Sequence, residues 1–86
     1  MRIIQLIDSL EIGGAEKMAV NYANTLSGVI GYSALVTTRK EGALKEQLSD
    51  QVGYLFLNKQ GKLGLSAVWK FRAFLKEHQI EFIHAH

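Results

Sequence analysis

Three stretches of this sequence carry groups that chemistry can use. The first runs from Asp8 to Glu16 and contains Gly13-Gly14. Glycine admits positive φ and lets a ligand come close to the main chain. The free N–H groups and dipole of a helix start suit a phosphate or carboxylate. The structural alternative makes Gly13 an N-cap, with Glu16 three residues on in a capping-box position. The two uses are compatible. Asp8 reads either as a carboxylate beside a crevice or as a loop-capping residue.

The second stretch is His84-Ala85-His86. Side chains two residues apart on a strand share a face. Two imidazoles can hold a metal, but without cysteine or a set of carboxylates they make a poor site. No metal is expected. His86 is the candidate for ligand contact, and His84 for packing. The third stretch is Trp69, Lys70, Arg72 and Lys76. Arg72 and Lys76 lie three and seven residues after Trp69, on one side of a helix. Tryptophan beside cations has the composition of a membrane-interface anchor. A Trp69 at the rim of the core, with its basic neighbours in solvent, is the preferred reading.

Several known motifs are missing. There is no G-x-G-x-x-G dinucleotide fingerprint and no phosphate loop ending in Gly-Lys-Ser/Thr. Thr37-Thr38-Arg39-Lys40 stands where an acidic residue would hold a ribose. Arg39 and Lys40 read as a solvated pair rather than a phosphate clamp. Asn58 stands where a receiver domain needs its aspartate.

The elements that must position these groups follow from periodicity. Ile3 to Ile7 is a β-branched apolar run, interrupted by Gln5, of the kind covered on both faces in a parallel sheet. Ala15, Met18, Ala19, Tyr22, Ala23 and Leu26 trace one helix face, and Ser27-Gly28 stops it. A second strand is expected over Tyr32 to Thr38, a short helix over Glu41 to Ser49 and a third strand over Tyr54 to Leu57. A linker spans Asn58 to Gly64. A longer helix over Leu65 to His78 carries Val68, Phe71 and Leu75 inward. Phe82 begins a fourth strand. The alternation argues for a parallel sheet with right-handed crossovers and strand order 3-2-1-4. Ligands of such sheets sit beyond the strand carboxyl ends, between strands 1 and 4. The glycine loop and His84–His86 meet there.

Composition sets the bounds. The chain has 86 residues, no cysteine and a formal charge of +2. Disulfides and thiolate sites are excluded, and a reducing, cytoplasmic setting is expected. The charge is too small to argue for nucleic acid. No apolar run approaches the roughly 18 residues of a membrane span.

Taken in order, these segments resemble the start of the retaining GT-B glycosyltransferases of family 4. Gly13-Gly14-Ala15-Glu16 follows strand 1 and a long loop. Gly31 precedes strand 2, with Tyr32 where the family often has histidine. Glu41-Gly42-Ala43-Leu44 with Leu48 resembles the segment between strands 2 and 3. Ile83-His84-Ala85-His86 resembles strand 4, although Ile80-Glu81 replaces the usual Pro-Asp. The resemblance covers the whole chain. It implies a three-layer Rossmann-like α/β unit, helices on both faces, spanning residues 1–86 as an incomplete acceptor-side domain. A donor-binding domain would lie outside the chain. It also implies transfer of a sugar from a nucleotide-sugar donor to a glycan or lipid-linked acceptor, with no cofactor. Gly13, Gly14 and Glu16 would face the donor diphosphate, and His86 with Asp8 would line the acceptor cleft. A lipid-linked acceptor would suit the less favoured reading of Trp69, Lys70, Arg72 and Lys76, a peripheral contact with the inner face of the membrane. A non-catalytic module that binds phosphate or sugar is the alternative. An exposed strand 4 would favour self-association.

Overall fold

The computed structural model describes residues 1–59 and 64–86. Most of the expected linker, with Lys62, falls on 60–63 and lies outside the described residues. Four strands form one parallel sheet in the order β3-β2-β1-β4: β1 Arg2–Ile7, β2 Tyr32–Thr37, β3 Gly53–Phe56 and β4 Phe82–Ala85. This is the expected strand order. β1 pairs with β2 along its whole length and with β4 from Ile3 to Leu6.

Two helices cover opposite faces. Helix α1, Gly14–Ser27, joins β1 to β2, and helix α2, Leu65–Glu77, joins β3 to β4. Chain progress reverses across the sheet after β3, so a constant crossover hand requires opposite faces. Alternate residues of β1 serve the two sides. Ile7 packs with Leu35, Ala19, Val20 and Ala23 under α1. Ile4 packs with Ala34, Val36, Leu57 and Ala67 under α2.

Helix α1 starts where Gly13 turns the chain from extended backbone and ends at Gly28, whose N–H bonds back into the last turn. Its buried line is Ala19, Val20 and Ala23. This corrects the expected stripe: Met18 is 52% exposed, and Tyr22 also faces outward. The periodicity named apolar positions, but α1 lies over β1 and β2, and among the described residues no element covers its Met18–Tyr22 flank. On α2 the inward residues are Ala67, Phe71, Phe74 and Leu75, while Val68 is half-exposed.

The helix expected over Glu41 to Ser49 is a single 3-10 helix, Ala43–Gln47. So short a segment cannot repay α-helix nucleation. It is held instead by the Leu44 N–H to Leu10 carbonyl bond and by an ion pair of 3.0 Å between Lys45 and Glu41. Leu10 and Leu44 are both fully enclosed in the α1-side core.

Two glycines should respond in opposite ways. A Cβ at Gly42 would fall 2.3 Å from the Leu10 backbone, while one at Gly14 would meet nothing within 4 Å. Gly42→Ala should therefore destabilise by about 1–3 kcal/mol through overpacking. Gly14→Ala should stabilise by about 0.4–1 kcal/mol, because it restricts the unfolded chain without a clash. Urea denaturation of both variants checks the contrast.

Candidate functional site

The first wall of the crevice is the loop between β1 and α1. Gly13 is extended, with φ of −171°, so it does not use the left-handed region. Neither its backbone nor any rigid neighbour requires glycine there. A Cβ there would fall 2.7 Å from Glu16 Oε1, so the Glu16 carboxylate folds back over the helix start. That is the expected capping-box spacing, and an acid in the first turn suits the dipole. The N–H groups of Gly14, Ala15 and Glu16 have no acceptor within the helix itself. Among the described residues nothing lies within 4 Å of where a Gly14 side chain would stand, so none of them requires that residue to be glycine.

The rest of the loop is fastened towards β2. Thr38 Oγ1 donates to Asp8 Oδ1 at 2.6 Å, and the Arg39 and Lys40 N–H groups both donate to the Asp8 carbonyl. Arg39 also pairs with the Asp8 carboxylate, and Lys40 with Glu11, through exposed side chains. Exposed pairs of this kind contribute about 0–1 kcal/mol each. Asp8 thus acts as a loop fastener on the β2 side, whereas His86 sits at the end of β4.

The second wall is β4. His84 and His86 share the α1 face, with ring centroids 4.3 Å apart. Tyr22 of α1 approaches both rings, at 5.3 Å and 6.0 Å. Beneath them lies Gln5, fully buried and aligned with His84 in the sheet register. His86 Nε2 is 2.7 Å from Gln5 Oε1. The contact holds the His86 ring through Nε2. Burial, with the nearby His84, holds the His86 imidazole below its ordinary pKa. Gln5 Nε2 is buried without a hydrogen-bond partner. Gln5 was not among the sequence candidates. A carboxamide inside an otherwise aliphatic strand was the available signal, since buried polar groups need partners. Among the described residues, no group of three or more His, Asp or Glu is gathered as a metal site would require.

The third candidate group stands apart, on α2. Trp69 is 68% exposed, which corrects the expectation of a Trp at the rim of the core. Helix α2 turns Ala67 and Phe71 to the sheet, and Trp69 therefore points away from it. The Arg72 guanidinium lies 5.5 Å from the Trp69 ring centroid. Trp69, Arg72, Ala73 and Lys76 line a groove of about 180 Å³. The expected sharing of one side by Trp69, Arg72 and Lys76 is present, and Lys70 is exposed beside them. At the opposite end of α2, a cavity of about 190 Å³ opens between Leu6, Leu57, Ala67 and Phe71, with Thr38 and Lys59 at its polar side.

Among the described residues no helix is long and apolar enough to cross a membrane. No protein-family model, curated protein or solved structure matches the chain.

The Gln5–His86 pair can be tested directly. The folded chain disfavours protonated His86, so between the usual imidazole pKa and the lowered value the unfolded state binds more protons. Stability should fall as pH drops through that window, and His86→Ala should flatten this dependence. Imidazole NMR titration should place His86 below 6.5, the ordinary value. Gln5→Met removes a buried donor that has no partner but also the group that holds His86, so stability should change by less than about 1 kcal/mol while the His86 ring resonances lose their fixed environment.

Proposed function

We propose that residues 1–86 form part of the acceptor-side domain of a retaining, nucleotide-sugar-dependent glycosyltransferase. The order of Gly13-Gly14-Ala15-Glu16, the 3-2-1-4 sheet and Ile83-His84-Ala85-His86 supports this reading. The observation that carries it is the open space at Gly14. Among the described residues nothing crowds that position, which leaves the first N–H groups of α1 open to a donor diphosphate. Helix-end dipoles would stabilise charge that develops on the departing diphosphate. The Glu16 carboxylate would swing aside as the diphosphate arrives. His86, held by Gln5 at the end of β4, would face the acceptor. The remainder of the donor site would belong to a second domain outside these residues, so the chain alone is inactive.

Amide NMR of the chain with added uridine or guanosine diphosphate tests the site. Shifts at Gly14 and Ala15, with a dissociation constant of about 1–10 mM, are expected, which corresponds to roughly −3 to −4 kcal/mol. Gly14→Ala should lose them while remaining folded. No shift at Gly13 to Glu16 would overturn the donor assignment. Turnover of a nucleotide-sugar by the chain alone would overturn the division between two domains.

The same reading places the α2 face on an anionic membrane surface. Exposed Trp69 supplies the interfacial ring, and Lys70, Arg72 and Lys76 supply about 1 kcal/mol each near such a surface. Binding to phosphatidylserine vesicles at low salt is expected, with loss in the double variant Lys70→Glu/Arg72→Glu. Absence of binding at low salt would remove the membrane contact.

A further inference from the structure

The segment between β2 and β3 is anchored at both of its ends. Its start is fixed on the sheet. Tyr54 of β3 lies opposite Leu35 in the register, and its ring packs against the α1-side core. Its hydroxyl is 2.9 Å from Oγ1 of the buried Thr37. The same hydroxyl donates to the Glu41 carboxylate. Lys45 closes the group, with Nζ 3.0 Å from Glu41 Oε2 and 4.8 Å from the Tyr54 ring centroid. The side-chain bonds from Lys45 and Tyr54 hold the Glu41 carboxyl below the usual carboxylate range. Burial pushes the Tyr54 hydroxyl up to about 12, and the Glu41 contact adds to the rise. Both directions are those of a hydroxyl that donates to a carboxylate.

The end of the segment is fixed on α1. Asn24 Nδ2 donates to the Gln47 carbonyl at 2.9 Å, and Asn24 Oδ1 accepts the Ser49 N–H at 2.7 Å. One carboxamide thus holds two backbone groups of the same segment. Between the anchors the segment presses on the middle of the glycine loop. The Leu44 N–H donates to the Leu10 carbonyl at 3.2 Å. Gly42 stands so close that a Cβ would fall 2.3 Å from the Leu10 carbonyl carbon. Gly13 follows Leu10 by three residues, and α1 begins at Gly14. We infer that residues 41–49 form a strap that fixes the loop between β1 and α1, and that Tyr54 and Asn24 are positioning residues for an anion at the start of α1.

The anion part of this inference rests on the glycosyltransferase reading; the strap does not. Helix-start N–H groups serve an oxyanion when they converge on it, and a loop already ordered loses little entropy as the anion arrives. Neither anchor stands at the anion. Tyr54 belongs to β3, separated from β1 by β2. Asn24 comes ten residues after Gly14, about 15 Å along α1. Their influence therefore passes through Leu10. Each anchor compares with one or two ordinary hydrogen bonds, so its loss should be felt as a change of about threefold to tenfold.

Amide hydrogen exchange on the ligand-free chain reads the strap. In Tyr54→Phe and in Asn24→Ala, exchange at Leu44 should quicken about threefold to tenfold beyond any change at the β1 and β2 amides, which report global opening. In Tyr54→Phe the Glu41 carboxyl, followed by carbon NMR, should titrate closer to the ordinary range; in Asn24→Ala it should stay where it is. A ring that served packing alone would leave Glu41 unmoved. Uridine diphosphate, followed at the Gly14 and Ala15 amides, should bind both variants about threefold to tenfold more weakly than the parent. Unchanged Leu44 exchange in the two folded variants would overturn the strap. Faster exchange with undiminished diphosphate affinity would overturn the positioning role. No diphosphate shift in the parent would remove the donor reading and the positioning role with it, while the exchange result still decides the strap.

Discussion

A strand between two parallel neighbours gives its backbone donors and acceptors to both of them, and β1 is in that position. Its pairing with β2 covers Arg2 to Ile7, and its pairing with β4 covers Ile3 to Leu6. Buried strands of this kind read as continuous apolar runs because both faces are covered. Ile4 and Ile7 meet that demand on opposite faces. The helices then have little freedom. Each must cross back over β1 or its neighbours to begin the next parallel strand. The glycine loop and the end of β4 become neighbours at the carboxyl edge for the same reason. The candidate site is a by-product of how β1 is paired.

Gln5 is the exception inside that strand, and its cost is informative. Burying a carboxamide donor without a partner costs about 1–3 kcal/mol. In return its oxygen orients His86 across the β1–β4 boundary. A strand built for stability alone would carry an aliphatic residue there. At the other end of the sheet, the His78 ring stacks on Tyr32 with centroids 4.7 Å apart, and its carbonyl accepts from Arg2 Nε. That histidine closes α2 against the amino ends of the strands, far from the crevice. Similar residue types thus serve anchoring at one end of the sheet and an accessible cluster at the other.

Much of this arrangement was legible from periodicity. Alternating strand and helix patterns led to the strand order, and the parity of His84 and His86 led to their shared face. Gly13 does stand at the N-cap with the Glu16 carboxylate beside it, although in extended backbone and with no side-chain cap hydrogen bond. What was not legible depended on neighbours. Met18 and Tyr22 have the spacing of a buried stripe, but burial requires an element to lie against them. Trp69 is apolar enough for the core, yet Ala67 and Phe71 already take the inward positions of α2. The Gln5–His86 contact joins residues 81 positions apart. No local pattern encodes such a distance; only the sheet register does.

The two walls of the crevice also differ in how firmly they are held. The Asp8 side is tied by its carbonyl, its carboxylate and the packing of Leu10 beneath Gly42. The β4 side is held by one strand neighbour, the Gln5 contact and the Tyr22 ring, with all four of its residues exposed. A ligand spanning both would find the first wall already ordered and would lose little entropy there. Ordering would be concentrated in the β4 wall. The crevice would behave as a fixed jaw facing a compliant one, and whatever stiffens β4 would tighten binding at a loop it never touches.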